Sequence, residues 1–133
     1  MSLIAENEYT IQQVAEMKNI SAFTLRYYEK IGLLEPIGRH ENGHRRYQEA
    51  DLGWIDFLKL LRETGMPVQQ MKEFMELARA GDPTIPERIV VLSAHRAQLW
   101  LRIGQLQAHL NHLDQKIAFY QGLLDNHQPE ACE

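Results

Sequence analysis

Between positions 89 and 124 the chain sets a residue every third or fourth place in strict alternation. The series is Ile89, Leu92, Arg96, Leu99, Ile103, Leu106, Leu110, Leu113, Ile117, Tyr120 and Leu124, and ten of these eleven are apolar. Alternating steps of three and four average 3.5 residues, so the stripe stays on one side of a helix. Sustained over about five heptads, that pattern predicts a coiled-coil seam and not merely an amphipathic helix. The helix is expected to begin near Thr84, with Pro86 in its first turn and Glu87 closing a capping box. Its length would be roughly 40 residues, or about 60 Å. In a chain of 133 residues, what precedes it is too small to cover such a stripe, and a second copy is the simplest partner. Arg96 either sets the register of the seam or reaches out to water from its end.

The rest of the composition bounds the class. The balance of 44% hydrophobic and 24% charged residues is that of a globular protein. No apolar run approaches the ~18 to 20 residues of a membrane span, and no stretch resembles a secretion signal. The single cysteine, Cys132, cannot form an internal disulfide, so a cytoplasmic location is expected. The net charge of −4 argues at first against nucleic acid. Residues 21–47, however, hold five basic side chains against three acidic ones, whereas residues 48–133 hold eight against twelve. The local field favours an anionic partner in the first of these segments.

That segment has helix punctuation. Thr10 suits an N-cap with Gln13 three residues on, and Ile11, Val14, Ala15 and Met17 offer a short apolar face. Asn19 suits the exit. Ser21 caps a second short helix with Phe23, Leu25, Tyr28 and Ile31 among its apolar positions, and Gly32 ends it. Two short helices and a tight turn read as helix-turn-helix. After Pro36 comes "RHENGHRRY", where Asn42-Gly43 is a strong two-residue hairpin signal. Its flanks hold few large apolar groups, so the hairpin is expected to project as a wing. A third helix runs from about Glu49 to Thr64 with Leu52, Ile55 (or Trp54), Leu58 and Leu61 inward, and Gly65 ends it. Pro67 opens a fourth helix with Met71, Phe74, Met75 and Ala78 as its apolar face, broken at Gly81-Asp82-Pro83.

Helix, turn, helix, basic hairpin and helical pair, in that order, is the plan of a winged helix on DNA. Arg26 can grip a phosphate through two parallel hydrogen bonds, and the Tyr27 hydroxyl can donate to a phosphate oxygen. Tyr28 lies about 100° around the helix from Tyr27, so one ring can face DNA and the other the core, although both could be core. Ser21 and Thr24 are candidate base-edge or phosphate contacts, with Ser21 also suited to a cap alone. Arg39, Arg45 and Arg46 flank the turn. Arg45 and Arg46, as neighbours in a strand, cannot share a face, so one would reach phosphate and the other a carboxylate such as Glu41 or one in the third helix. A solvated charged turn is the alternative.

The stretches "YTIQQVAEMKNISAFTLRYYEKIGLL", "ENGHRRYQEADL" and "LRETGMPVQQMKEF" resemble the MerR family of bacterial transcription regulators over about residues 9–78. The resemblance implies an all-α fold with a small β-hairpin wing, the winged helix-turn-helix being followed by a long antiparallel dimerisation coiled-coil helix. It implies a homodimer on a pseudo-palindromic promoter operator, distorting an overlong spacer so that RNA polymerase engages both promoter elements, with polymerase a partner only through the shared promoter. By motif position, Arg26 and Tyr27 would contact the DNA backbone from the recognition helix, and Arg39, Asn42, Gly43 and Arg45 from the wing. Tyr47 would pack the wing's base or touch phosphate. The expected division is residues 8–80 for DNA, 84–126 for the dimerisation helix and 127–133 as a short flexible tail. The dimerisation residues are the ten apolar members of the seam.

No cofactor and no metal are expected. Cys132 lacks the second thiol that soft metals want, although His127 is near it in sequence, and His109 and His112 share a helix face without a carboxylate or cysteine beside them. An organic effector, if there is one, would sit between one subunit's dimer helix and the other's DNA-binding domain. Trp54, Phe57, Phe74, Met75, Trp100 and Tyr120 are candidates for its lining, with core packing as their other role. A rival reading is a helical adaptor that uses the coiled coil and keeps a vestigial helix-turn-helix. No triad, carboxylate pair or phosphate-cradling loop points to an enzyme.

Overall fold

The computed structural model describes residues 8–35 and 46–126. The Asn42-Gly43 hairpin, with Arg39 and Arg45, lies outside the described residues, as do His40, His44, His127, Cys132 and the expected tail. In chain order the elements are β1 (Glu8–Tyr9), α1 (Ile11–Lys18), α2 (Ala22–Lys30), β2 (Tyr47–Gln48), α3 (Glu49–Glu63), α4 (Val68–Arg79), a 3₁₀ turn at Asp82–Thr84 and α5 (Ile85–Asp125). The chain divides into two compact units, residues 1–91 and 92–133.

In the first unit the local signals act as their chemistry requires. Thr10 Oγ1 accepts from the Gln13 N–H at 3.1 Å while Gln13 Oε1 accepts from the Thr10 N–H at 2.8 Å, so two orphan donors of α1 are satisfied reciprocally. Asn19 ends α1 in the left-handed region at φ 52°. Gly65, at φ 93°, makes the corresponding turn after α3, where a side chain would be strained. Pro67 stands as the N-cap of α4.

The ladder of β1 and β2 was not legible in the sequence. It is antiparallel and pairs Glu8 with Gln48 and Tyr9 with Tyr47. Two residues per strand are too few to show an alternating pattern. The Tyr9 hydroxyl donates to Glu49 Oε2 at 2.5 Å, which ties β1 to the first turn of α3, and this bond to the carboxylate is the main cause of the raised Tyr9 pKa.

The core of this unit runs through α1–α4. Val14, Leu25, Tyr28, Leu52, Ile55, Leu58, Leu61, Met71, Phe74 and Met75 are buried with Leu33, Leu34, Tyr47 and Met66. Ile55, not Trp54, is the inward residue of α3, and Trp54 is left 37% exposed. Met17, expected on the apolar face of α1, is half exposed. Polar clamps fix the helices around this core. Lys59 Nζ donates to the Lys18 carbonyl at 2.7 Å at the last turn of α1, and Lys18 pairs with Asp56 at 2.9 Å. Arg79 donates to the Gly32 carbonyl at 2.6 Å and pairs with Glu35 at 3.0 Å.

The start of α5 differs from expectation. Thr84 does not form a capping box with Glu87. Its N–H bonds the Gly81 carbonyl at 3.0 Å. Its hydroxyl donates to the carbonyls of Leu77 (2.5 Å) and Gly81 (2.8 Å) and accepts from Arg88 Nε at 3.1 Å. The hydroxyl is thus spent on the orphan carbonyls left at the end of α4.

The described part of the second unit, residues 92–126, is the body of α5, a helix of 41 residues in all. None of its side chains is buried. The seam members Ile103, Leu106, Leu110, Leu113, Ile117, Tyr120 and Leu124 are exposed, as is Ile89 nearer the helix start, while Leu92 and Leu99 are partly covered. Lys116 lies over the rings of Phe119 and Tyr120 at 5.5 and 5.7 Å. No helix among the described residues is long and apolar enough to cross a membrane.

Candidate nucleic-acid interface

α2 has two faces that the sequence pattern only half revealed. Leu25 and Tyr28 are buried, whereas Phe23, Arg26, Tyr27 and Lys30 are exposed. The exposed set follows the spacing i, i+3, i+4, i+7, which is one stripe of a helix. Tyr27 is 41% exposed and Tyr28 only 1%, with ring centroids 6.5 Å apart and planes tilted by 47°. The two adjacent rings therefore serve different media, as a rotation of about 100° per residue allows. The reading in which both rings are core does not hold.

Burial raises the Tyr28 pKa above its ordinary value, and the Arg62 guanidinium beside the hydroxyl pulls the other way by charge and hydrogen bond. This contact carries Arg62 of α3 to the edge of α2. A cleft of about 520 Å³ opens there, lined by Asn19, Ile20, Ser21, Phe23, Thr24, Tyr27, Tyr28, Lys59, Arg62 and Glu63. On one wall Lys59 and Arg62 outnumber Glu63, which lies 4.0 Å from Lys59, and with an aromatic helix face opposite, the cleft suits an anionic polymer better than an apolar ligand.

The remaining expected residues fall in three groups. Ser21 and Thr24 adjoin this cleft. Ser21 Oγ accepts from the Thr24 N–H at 3.0 Å and donates to Thr24 Oγ1 at 2.8 Å, so the cap engages both hydroxyls. Arg39, Asn42, Gly43 and Arg45 lie outside the described residues. Tyr47 is fully buried, and its ring fills the core where β2 enters α3. Arg46 stands 4.0 Å from Glu8 of β1, a carboxylate other than those expected for it, while Glu41 lies outside the described residues.

Phe23 and Lys30 complete the exposed stripe, which the sequence reading did not single out. Phe23 had been counted only as an apolar position, yet it sits two residues before the buried Leu25, a spacing that puts it on another side of the helix. Of the candidate effector-lining residues, Phe74 and Met75 are core. Phe57 is half buried between Trp54 (6.2 Å between centroids) and Phe74 (5.2 Å). Among the described residues no cluster of three His, Cys, Asp or Glu side chains is placed to hold a metal ion.

Against known proteins, residues 9–78 match the family described as MerR HTH family regulatory protein, and residues 52–116 match that described as MerR, DNA binding. The chain belongs to the MerR family. Its MerR relatives include an uncharacterised HTH-type transcriptional regulator of Haemophilus influenzae, 42% identical over 85% of this chain and 84% of the relative. Among solved structures it is similar to HiNmlR, a MerR family regulator lacking the sensor domain and bound to promoter DNA, at 39% identity and a TM-score of 0.84 over 91% and 92% of the two chains. A MerR family transcriptional regulator from Bacillus thuringiensis matches at 35% identity and a TM-score of 0.76, over 85% of this chain and 99% of the other. The chain is thus a DNA-binding MerR-type transcription regulator with a helix-turn-helix.

Proposed function

We propose that this MerR-type regulator acts as a homodimer on a pseudo-palindromic promoter operator and distorts an overlong promoter spacer, in answer to an effector. The observation that carries the reading is the divided face of α2. Arg26 and Tyr27 stand outward beside Lys30, while Leu25 and Tyr28 anchor the helix from behind. In this reading Arg26 and Tyr27 hold phosphates from the major groove. Arg39, Asn42, Gly43 and Arg45 hold the flanking backbone from the wing, and RNA polymerase meets the protein only through the shared promoter. The work is done in the cytoplasm, where the promoter is.

The dimer follows from the seam. Covering an exposed Leu or Ile side chain stabilises by about 1.5–3 kcal/mol, so ten half-exposed members give roughly 8–15 kcal/mol per chain. Two chains double that, which exceeds the ~4–15 kcal/mol lost to association. Dimers then present two recognition helices and two wings, a suitable device for holding DNA against a bending cost of several kcal/mol.

The test is binding to random-sequence duplex DNA as salt rises. Affinity should fall steeply and linearly on a log–log plot, because each phosphate contact releases a counterion. A flat response, or no binding at low salt, would support the adaptor reading instead.

A further inference from the structure

We propose that Phe23 reads thymine through its 5-methyl group and sets the base preference of the recognition helix. The inference rests on the DNA-binding reading above and adds to it the chemical class of what α2 recognises. Phe23 is 76% exposed, more than any other large apolar side chain among the described residues. It occupies the second position of α2, immediately beyond the Ser21 cap. A helix in the major groove reaches base edges with its N-terminal residues. Arg26 and Tyr27, about one turn further on, then fall to the backbone.

The chemistry of the ring narrows the target. A phenyl group cannot hold phosphate, and it neither donates nor accepts the hydrogen bonds that distinguish guanine, adenine and cytosine. The one apolar group that a base pair shows in the major groove is the thymine methyl. The Ser21 hydroxyl is engaged within the cap, where it donates to Thr24 Oγ1 at 2.8 Å. The cations on the same stripe, Arg26 and Lys30, give this face a positive field that suits an anionic partner such as DNA.

The experiment selects duplexes from a randomised pool with the wild-type chain and with Phe23→Ala and Phe23→Leu. Affinities for the wild-type winner are then measured with thymine and with deoxyuridine at each selected thymine. The wild type should enrich a thymine that Phe23→Ala no longer enriches and Phe23→Leu partly retains. Deoxyuridine there should weaken the wild type by about fourfold, the value of one buried methyl group, and leave Phe23→Ala unmoved. The salt slope should be the same for all three proteins, since no phosphate contact changes. An unaltered consensus for Phe23→Ala, or an equal loss to deoxyuridine in both proteins, would overturn the assignment while leaving DNA binding intact. A wild type that enriches no sequence would instead bring down the DNA-binding reading and this assignment with it.

Discussion

Side by side in the sequence, Tyr27 and Tyr28 do opposite things, and the difference is one step of helix rotation. Tyr28 is sealed into the core with its hydroxyl at Arg62, while Tyr27 remains available beside Arg26. The inward half of this split was legible, because Leu25 and Tyr28 share a face. The outward position of Phe23 was not, since an apolar residue is counted for the core unless its angle is checked. Arg26→Ala should weaken binding to many sequences alike and make the log–log salt slope shallower by about one; a loss confined to one base pair, seen in competition with mismatched duplexes, would defeat the phosphate assignment. Tyr28→Phe should cost about 0.5–1.5 kcal/mol near neutral pH by losing the hydrogen bond with Arg62, read by urea denaturation. The raised pKa of Tyr28 means that the folded chain keeps a proton that the unfolded chain releases. That contribution to stability is fully present below about pH 10, the ordinary tyrosine value, and is lost as pH climbs through the folded-state value. Tyr28→Phe should therefore lose less stability than the wild type over that alkaline range, and an identical decline would show the hydroxyl to be uncoupled.

Elements whose signals are local were read correctly. The capping pairs at Thr10 and Ser21, the left-handed exit at Asn19 and the glycine after α3 each depend on residues within a few positions. Replacing Thr10 with Ala should cost about 1 kcal/mol of stability, since the Gln13 N–H would lose its acceptor; calorimetry would report it as a lowered Tm. Elements that depend on distant partners were not read. β1 exists because Glu8 and Tyr9 meet Gln48 and Tyr47 from a distant part of the chain. Thr84 gave up its expected box because the end of α4, with Leu77 and Gly81, offered carbonyls in need of a donor. The long helix α5 was legible for the opposite reason: a period held for five heptads cannot be obscured by any one contact. Charged residues at Leu106 and Leu110 together should yield monomers in sedimentation velocity, and an unchanged dimer would place the interface elsewhere.

At the scale of the whole molecule, the proposed dimer joins the exposed face of α2 to the exposed stripe of α5. The chain leaves Ile103, Leu106, Leu110, Leu113, Ile117 and Leu124 exposed to water. Two copies paired as proposed would cover that stripe and set two copies of α2 on one duplex, so operator symmetry should mirror protein symmetry. The fold class was legible because the MerR-like motifs are dense from residue 9 to residue 78. An effector was not, since among the described residues no cluster of metal-ligating side chains marks a ligand. The most direct measurement is sedimentation equilibrium of the protein with an excess of the duplex it selects from a random pool. Two chains on each duplex, with the selected sequence an inverted repeat, is the predicted result. One chain on an asymmetric site, at protein concentrations where the free chain is monomeric, would contradict the account.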